Sequence, residues 1–498
     1  MSAGTNALSA YQRLESRFRE AYVLRSIAGT LEWDRYVWLP EGAASMRTDQ
    51  VALLERLISD RIGAADVADL LDRAGQEPLT PWQQANLYEM RRDHVHAGAI
   101  DPALTSAWLH ATSECERTWR SAREQRDPAA VLRKLEIVVA LTRERAIAKA
   151  QSLGTDPYEA LLDRWEPGLR MQALRVWIDE WRSTLPPIAE AISEAPCSDP
   201  LPVVPVERQR SIVPLVLQRV GFDLRHGLIA ESTQPCFSDD TPDDVRITVR
   251  YNAERPLEAL RGGLHETGHS FYERQVPEGW RYQPVGRPRS ASLQESQALL
   301  WEVHVGGSDA FHHWLAPQLA AGFGWHLTAR DLAAGWQGNN LRRDRLDSGE
   351  VGYLLHLLVR TELELRLIAG ELSARDLLEA WFDATSRWLG SPPAPDAMGP
   401  LADIHWYRGL FGYFPSYLIG AALAAQLMEA ARAAMPTLDD DLTSGQFQPL
   451  RAWLRDHVHT WGSSVDASTI VQRATGHSLS GAALVRHLQR RHLGATNT

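Results

Sequence analysis

Apolar residues recur at spacings of three and four along most of this 498-residue chain. This spacing puts them on one face of an α-helix, and that face must be buried against another element. The stripe from Leu8 to Tyr22 predicts the first helix, which the segment from Leu31 to Pro40 is expected to break. The chain is therefore predicted to be mainly α. Further predicted helices are Gln83–His96, Pro102–Arg123, Pro128–Ala150 and Met171–Ile192.

One short motif carries chemistry. The residues from His265 to His269 read H-E-x-x-H. On a helix, two histidines four positions apart project from one face, so both rings reach a single Zn²⁺ at about 2.0–2.1 Å. Glu266 lies beside the ion and is the candidate general base for a metal-activated water. The alternative is an amphipathic helix with two surface histidines.

A catalytic zinc needs a third protein ligand and an open position for water. The longer motif with a third histidine is excluded, because Gln275 stands where that histidine would be. Glu295 begins the next predicted helix and is the favoured third ligand. Glu302, two turns further along the same face, is a weaker rival or a hydrogen-bond partner of a ligand. Glu273, one turn beyond the motif, is a third possibility.

One segment differs from the helical pattern. From Asp244 to Tyr251 every second residue is apolar, which predicts a half-buried strand. Its other face carries Arg246, Thr248 and Arg250. The strand precedes the motif helix by about a dozen residues, so the two are expected to be neighbours. Such a strand can border a cleft and pair with an extended substrate; a solvated charged face is the alternative.

The organisation of the chain is simple. No internal repeat or low-complexity linker is visible, and the length allows one large core or two to three domains. The Pro-rich stretch Ala195–Pro205 is the best interior break. It separates a helical part at about residues 1–195 from a part at about 206–498 that holds the motif.

Composition excludes several partners. The net charge of −11 and the lack of a basic run argue against nucleic acid. The longest apolar stretch, Tyr417–Met435, contains charged residues and should not span a membrane, and no signal peptide is visible. Cys115, Cys197 and Cys236 are too widely spaced for a zinc cluster or a disulfide framework. A cytoplasmic protein is therefore expected.

Eight landmarks resemble one family, the thermostable (Taq-type) carboxypeptidases, which are H-E-x-x-H metallopeptidases. The resemblance covers nearly the whole chain. It implies a single, mostly helical catalytic unit with a deep cleft and a few short strands, usually homodimeric, which removes single residues from peptide C-termini. The landmarks are Leu31–Asp34, Tyr158–Asp163 with Glu166–Gly168, Asp244–Thr248, His265–His269, Glu295–Gln297, Glu350–Tyr353, Asp403–Trp406 and Gly409–Tyr417.

The resemblance assigns roles to individual residues. His265, His269 and Glu295 match the family's metal ligands, and Glu266 matches its general base and acid. The expected cofactor is Zn²⁺, with Co²⁺ or Mn²⁺ as other divalent candidates. The substrate is expected to be a peptide or peptide-like molecule with a free C-terminal carboxylate.

Further residues are candidates for substrate contacts. The oxyanion of the transition state needs a donor, and Tyr413 is preferred over Tyr417, although for each an ordinary packed aromatic is the alternative. A bidentate arginine is suited to the free carboxylate. Arg345 matches the family's arginine, with Arg342 and Arg343 as close rivals. The remaining arginine candidate, in the predicted strand, is Arg246, which would bind substrate or support the site through Asp244.

The sequence departs from the family's pattern near the expected site. Gln234 and Cys236 replace the ends of a His-Pro-Phe triplet, Gln294 replaces a histidine, Ala402 a glutamine, and Ser348-Gly349 an Ala-Asp pair. Changes around metal ligands alter metal affinity or activity tenfold or more. We therefore hypothesise a divergent member, specialised for one peptide or peptide-like conjugate.

Two other classes of function remain open. One is a zinc hydrolase of another bond or end, an endopeptidase or an aminopeptidase. An aminopeptidase needs carboxylates for the substrate amine, whereas the predicted strand offers mainly Arg246 and Arg250. The other class is an inactive zinc-binding protein. Retention of Glu266 argues against it, because a structural zinc site needs no base.

Overall fold

Helices account for the sequence periodicity. The computed structural model describes residues 8–193, 201–232, 241–337, 344–345, 348–394 and 397–494. Within these residues the protein is mainly α, as predicted. The first nine helices are α1 Ala10–Val37, α2 Ala44–Ile62, α3 Ala65–Ala74, α4 Pro81–Gly98, α5 Pro102–Gln125, α6 Ala129–Leu153, α7 Pro157–Leu162, α8 Met171–Ser193 and α9 Val206–Val220.

The two strands separate these helices from those of the second half. They are β1, Gly227–Glu231, and β2, Val245–Val249. The later helices are α10 Glu258–Gln275, α11 Ala291–Leu299, α12 Asp309–Phe323, α13 Ala329–Gln337, α14 Gly349–Ala369, α15 Leu377–Leu389, α16 Phe414–Ala434, α17 Leu438–Thr443, α18 Gln448–His457, α19 Ala467–Thr475 and α20 Ala482–Leu493.

The predicted helices are confirmed within a few residues, with one correction. The break expected from Leu31 is wrong, because α1 continues to Val37. Residues 31–37 contain neither Gly nor Pro, so nothing in them interrupts the helix. The start of α1 is fixed by a capping box, in which Ser9 and Gln12 bond each other's backbone N–H groups.

The predicted strand is confirmed as β2, which pairs in parallel with β1 so that Ile229 stands opposite Ile247. It is shorter than the alternating segment. Val245, Ile247 and Val249 are buried as predicted. Thr248 is buried too, so the second face of the strand is not fully solvated.

Two apolar cores hold the helices together. The smaller one joins α1 to α2, α3 and α4 through side chains such as Leu14 and Ile62. The larger one contains side chains from both sides of residue 195, including Trp119, Trp181 and Trp301. The division into parts at about 1–195 and 206–498 stays a prediction. Within the larger core, α11 packs against α10 and α16.

A cavity of about 1450 Å³ is lined by α1, α2, α4 and α6 and also by α10, α11, α14 and α16. It is the deep cleft that the resemblance implied. The apolar stretch Tyr417–Met435 lies mostly in α16, which is largely buried. In the described ranges, no helix combines the length and the apolar character needed to cross a membrane.

Candidate active site

The helix α10 carries both motif histidines. His265 and His269 lie one turn apart, with ring centroids separated by 4.9 Å. Burial and the neighbouring His265 lower the pKa of His269 well below its ordinary value, so this ring is neutral at pH 7. A neutral imidazole is the form that ligates metals. Hydrogen bonds with Gln294 act on the same ring.

The third predicted ligand comes from α11 and meets the two histidines. Glu295 is 2% exposed, with Oε1 3.8 Å from His265 Nε2 and Oε2 3.5 Å from His269 Nε2. Ligand atoms on a tetrahedral zinc stand roughly 3.3 Å apart when each bond is about 2.0–2.1 Å. The spacing therefore fits a divalent ion, and the two-imidazole, one-carboxylate donor set suits zinc.

Two glycines let the helices approach Glu295. A Cβ on Gly268 in α10 would lie 2.5 Å from the carbonyl oxygen of Gln297 in α11. A Cβ on Gly420 in α16 would lie 2.8 Å from Cβ of Glu295 itself. Real carbon contacts are longer, so any side chain at either position would push α11 away. The position of Glu295, the predicted third ligand, thus depends on contact with both neighbouring helices.

The two rival carboxylates have other places. Glu302, on the π-helical turn Leu300–Val305 after α11, accepts a hydrogen bond from Nδ1 of His265 at 3.0 Å. Burial lowers the pKa of His265, but Glu295 and Glu302 outweigh it and raise the pKa to about 10. This negative field favours a cation. Glu273 is buried on α10, outside the His–His–Glu group.

We expect Glu302→Gln to weaken metal binding by about 10- to 100-fold. The carboxylate fixes the tautomer of His265, since a proton held on Nδ1 leaves Nε2 as the ligand atom. Competition with a chromogenic chelator measures the affinity. Glu295→Gln is the comparison variant and should lose stoichiometric metal. An affinity for Glu302→Gln equal to that of the wild type would contradict this role.

Glu266, the predicted general base, lines the cleft. It is 6% exposed and lines the cavity together with both histidines. Burial raises its pKa to about 7; His265 lowers it, and Glu295 and Glu302 add to the rise. A carboxyl group whose pKa is close to the working pH is suited to accepting a proton and then donating it.

Arg345 lines the cleft but is already paired. Its Nε and Nη2 donate to Asp403 at 3.1 and 2.7 Å, and Arg360 Nη2 lies 2.5 Å from the other carboxylate oxygen. Burial opposes the charge on Asp403, but the two guanidinium groups hold its pKa well below the ordinary range. Asp403 thus occupies one edge of the Arg345 fork. The rivals Arg342 and Arg343 lie outside the described residues.

Two aromatic residues lie beside Arg345, and one of them, Tyr353, also contacts the predicted metal ligand Glu295. The rings of Tyr353 and Tyr417 each lie 5.1 Å from its guanidinium carbon. The Tyr353 hydroxyl donates to Glu295 Oε1 at 3.5 Å, and the Tyr417 hydroxyl lies 3.1 Å from His405 Nε2. No role was predicted for Tyr353 or His405, although both stand in stretches that carry the resemblance.

Tyr413 lies at the start of α16 and lines the cleft. Its ring contacts Trp165 edge-on at 4.8 Å and Tyr417 at 5.0 Å. The loop before it is fixed from two sides, because Trp165 Nε1 donates to the Phe411 carbonyl and the Gly412 N–H donates to the buried Glu364. The two predicted tyrosines are therefore neighbours.

Arg246 does not lie beside the His–His–Glu group. It pairs with Asp244 at 2.6 Å, and its guanidinium carbon lies 5.0 Å from the Trp33 ring. Both line a second cavity of about 670 Å³. Instead Arg250, paired with Glu258, lines the main cleft. The departures Gln234 and Cys236, with Cys197, lie outside the described residues.

The site has the arrangement typical of an H-E-x-x-H metallopeptidase: two histidines one turn apart, a glutamate from a second helix and a further carboxylate open to a deep cleft. Residues 13–492 match the family model of the carboxypeptidase Taq (M32) metallopeptidases. The chain belongs to this family, as the resemblance predicted, and is a metallocarboxypeptidase.

Similar proteins cover nearly the full length. Thermostable carboxypeptidase 1 of Thermus thermophilus is 33% identical over 97% of this chain and 98% of its own. Among solved structures, metallocarboxypeptidase 1 of Trypanosoma cruzi has a TM-score of 0.89 at 31% identity, covering 97% and 99% of the two chains. The M32 carboxypeptidase of Deinococcus radiodurans has a TM-score of 0.87 at 30% identity, covering 97% and 98%.

Proposed function

We propose that this enzyme is zinc-dependent and hydrolyses the C-terminal bond of a peptide or peptide-like amide. The observation that carries the proposal is the convergence of His265, His269 and Glu295 beside Glu266 in the cleft that Arg345 also lines. These three residues would hold the ion, with Co²⁺ or Mn²⁺ as substitutes. A bound divalent ion supplies Lewis acidity, which activates water and polarises the scissile carbonyl.

Glu266 moves the protons. As an ionised carboxylate it accepts a proton from the attacking water, and it then donates that proton to the leaving amine. Its burial and its position in the cleft support this role. The same group can serve as base and acid because its pKa lies near 7.

Arg345 binds the free C-terminal carboxylate of the substrate. Asp403 accepts from Nε and Nη2, and Arg345 lines the cleft, so Nη1 and the second hydrogen of Nη2 would donate to the substrate carboxylate. Asp403 also fixes the orientation of the guanidinium, which lowers the entropy lost when substrate binds. A peptide amidated at its C-terminus would not offer this arginine a negative charge.

Tyr413 donates a hydrogen bond to the carbonyl oxygen as negative charge develops on it. Tyr417 is the neighbouring donor and a wall for the substrate, and burial keeps its hydroxyl protonated by raising the pKa far above 10. We leave Arg246 out of the substrate contacts, because it lines the other cavity and pairs with Asp244.

The test is to incubate zinc-loaded enzyme with a mixed peptide library and identify by mass which end shortens. We expect loss of single C-terminal residues and no cleavage of the same peptides when amidated. Internal cleavage would indicate an endopeptidase and N-terminal shortening an aminopeptidase. No cleavage by metal-loaded protein would indicate an inactive zinc-binding paralogue.

The same library tests specialisation for one substrate. Gln294, which stands where the family has a histidine, contacts the ligand His269 and supports a divergent site. Ordinary rates on a broad panel of peptides would contradict this specialisation.

We also propose that each chain forms a single catalytic unit and that the protein is a cytoplasmic homodimer, without nucleic-acid or membrane partners. The net charge of −11 and the family support this proposal.

A further inference from the structure

One wall of the cleft is cationic and includes none of the predicted metal ligands. It is formed by Arg145 and Lys149 of α6 and by Arg164, with Trp108 and Trp165 beside them, and all five line the cavity. We call these five residues the cationic wall. The guanidinium carbon of Arg145 lies 4.3 Å from the Trp108 ring, and that of Arg164 lies 4.7 Å from the Trp165 ring.

The two charges on α6 have no acidic partner of their own. Lys149 is only 6% exposed, and Arg145 lies one turn before it on the same helix face. Among the described residues, no carboxylate within 4 Å pairs with either, and the polar contact that Arg145 makes is a donation from Nη1 to the neutral Thr105 hydroxyl at 3.3 Å. The acid that most affects Lys149 is Asp163, which already accepts hydrogen bonds from His96 and Arg92, each at 2.9 Å.

Such an arrangement is costly without an anion. Burial, Arg164 and Arg145 lower the pKa of Lys149 to about 7, and burial with Arg164 lowers that of Arg145 to about 10. Like charges one turn apart destabilise a helix, and a buried unpaired ammonium costs more than an exposed one. The acid acting on Arg145 is Glu55 of α2, which is exposed and beyond ion-pair distance.

A row of aromatic contacts links this wall to the active site. Arg164 covers Trp165, Trp165 contacts Tyr413, and Tyr413 contacts Tyr417. Joined end to end, these contacts put the Arg164 guanidinium no more than about 15 Å from the Tyr417 ring, or about four to five residues of extended peptide at roughly 3.3–3.6 Å each. A substrate whose C-terminal carboxylate reached Arg345 could therefore also reach the wall.

We propose that the cationic wall is a specificity site that binds the carboxylate of an acidic side chain about three to five residues before the scissile bond. The proposal rests on the carboxypeptidase function proposed above. The charged groups of the wall, Arg145, Lys149 and Arg164, donate charge-assisted hydrogen bonds to the carboxylate. Trp108 covers Arg145 and Trp165 covers Arg164, which lowers the local dielectric and strengthens the interaction.

The test uses short N-acetylated, alanine-rich peptides that carry one Glu, or one Gln as the neutral match, at successive positions upstream of the C-terminus. At the best position the Glu peptide should have a kcat/KM about tenfold or more above its Gln match, the contribution of one charge-assisted hydrogen bond. Lys149→Met and Arg145→Gln should each remove most of that ratio. Arg133→Gln, an exposed arginine on the same helix, should keep it.

A second measurement guards against a merely structural effect. Lys149→Met should unfold at a temperature equal to or above that of the wild type, because it removes an unpaired buried charge. Isothermal titration calorimetry of the same peptides with metal-free protein gives a readout that does not need turnover. There the Glu peptide should bind about tenfold more tightly than its Gln match.

The outcomes are distinct. Equal kcat/KM for every Glu and Gln pair, with C-terminal shortening of both, would overturn the acidic subsite and leave the proposed function standing. Loss of the ratio in Arg133→Gln would also overturn it, because the effect would then follow net charge. If neither peptide is shortened at its C-terminus, the proposed function fails, and equal binding in calorimetry would then overturn the cationic wall separately.

Discussion

Glu266→Gln is expected to lower kcat for C-terminal hydrolysis by about 10²- to 10⁴-fold, the usual contribution of a general acid–base group. Glutamine has nearly the same shape but cannot accept the proton of water. It leaves His265, His269 and Glu295 in place, so the metal content should stay close to one ion per chain. Steady-state kinetics and elemental analysis of the same preparation measure both quantities.

The matched control is Glu273→Gln, a buried glutamate on the same helix that lies outside the His–His–Glu group. It should bind metal and retain turnover within a few-fold of the wild type. Full activity in Glu266→Gln would remove Glu266 from its role. Loss of metal in Glu273→Gln would return that residue to the set of candidate ligands.

Arg345→Gln is expected to lower kcat/KM for free-acid peptides by about 10- to 100-fold, mainly through KM, because a charge-assisted contact with the substrate carboxylate is lost. The substitution also leaves Asp403 with one guanidinium group instead of two. Breaking a buried ion pair costs up to about 3–5 kcal/mol of stability. Kinetics and thermal unfolding should be measured together.

Arg360→Gln separates these two effects. Arg360 binds the other oxygen of the Asp403 carboxylate but does not line the cleft, so it should destabilise the protein to a similar degree without the rise in KM. An equal rise in KM in both variants would mean that Arg345 acts only through the fold. An unchanged KM in Arg345→Gln would assign the carboxylate to another group.

Local patterns in the sequence predicted local structure well. Spacings of three and four gave the helices, H-E-x-x-H placed two histidines on one face, and alternation gave β2. The expected break at Leu31 was wrong, since residues 31–37 contain no Gly or Pro that would end the helix before Val37. The secondary structure of a segment, and the face on which its side chains lie, could be predicted from the residues of that segment alone.

Contacts between distant segments could not be read in the same way. The pairing of Arg345 with Asp403 joins residues 58 positions apart, and nothing local to either predicts it. The alternating pattern predicted the face of β2 that carries Arg246. It could not predict that this residue lines the second cavity and not the main cleft. Lys149 did leave a signal, because it continues the buried stripe of Thr142 and Ala146 on α6, where a charge is out of place.

The glycines beside Glu295 affect which divalent ion this enzyme could select. Because Gly268 and Gly420 allow close contact, the spacing of three helix backbones sets the position of the Glu295 carboxylate relative to the two histidines. A single added methyl group on either neighbour would shift the carboxylate without altering any donor atom. Ions of different radius would therefore be discriminated by inter-helix spacing, and an adaptation towards a larger ion would begin at residues that never touch it.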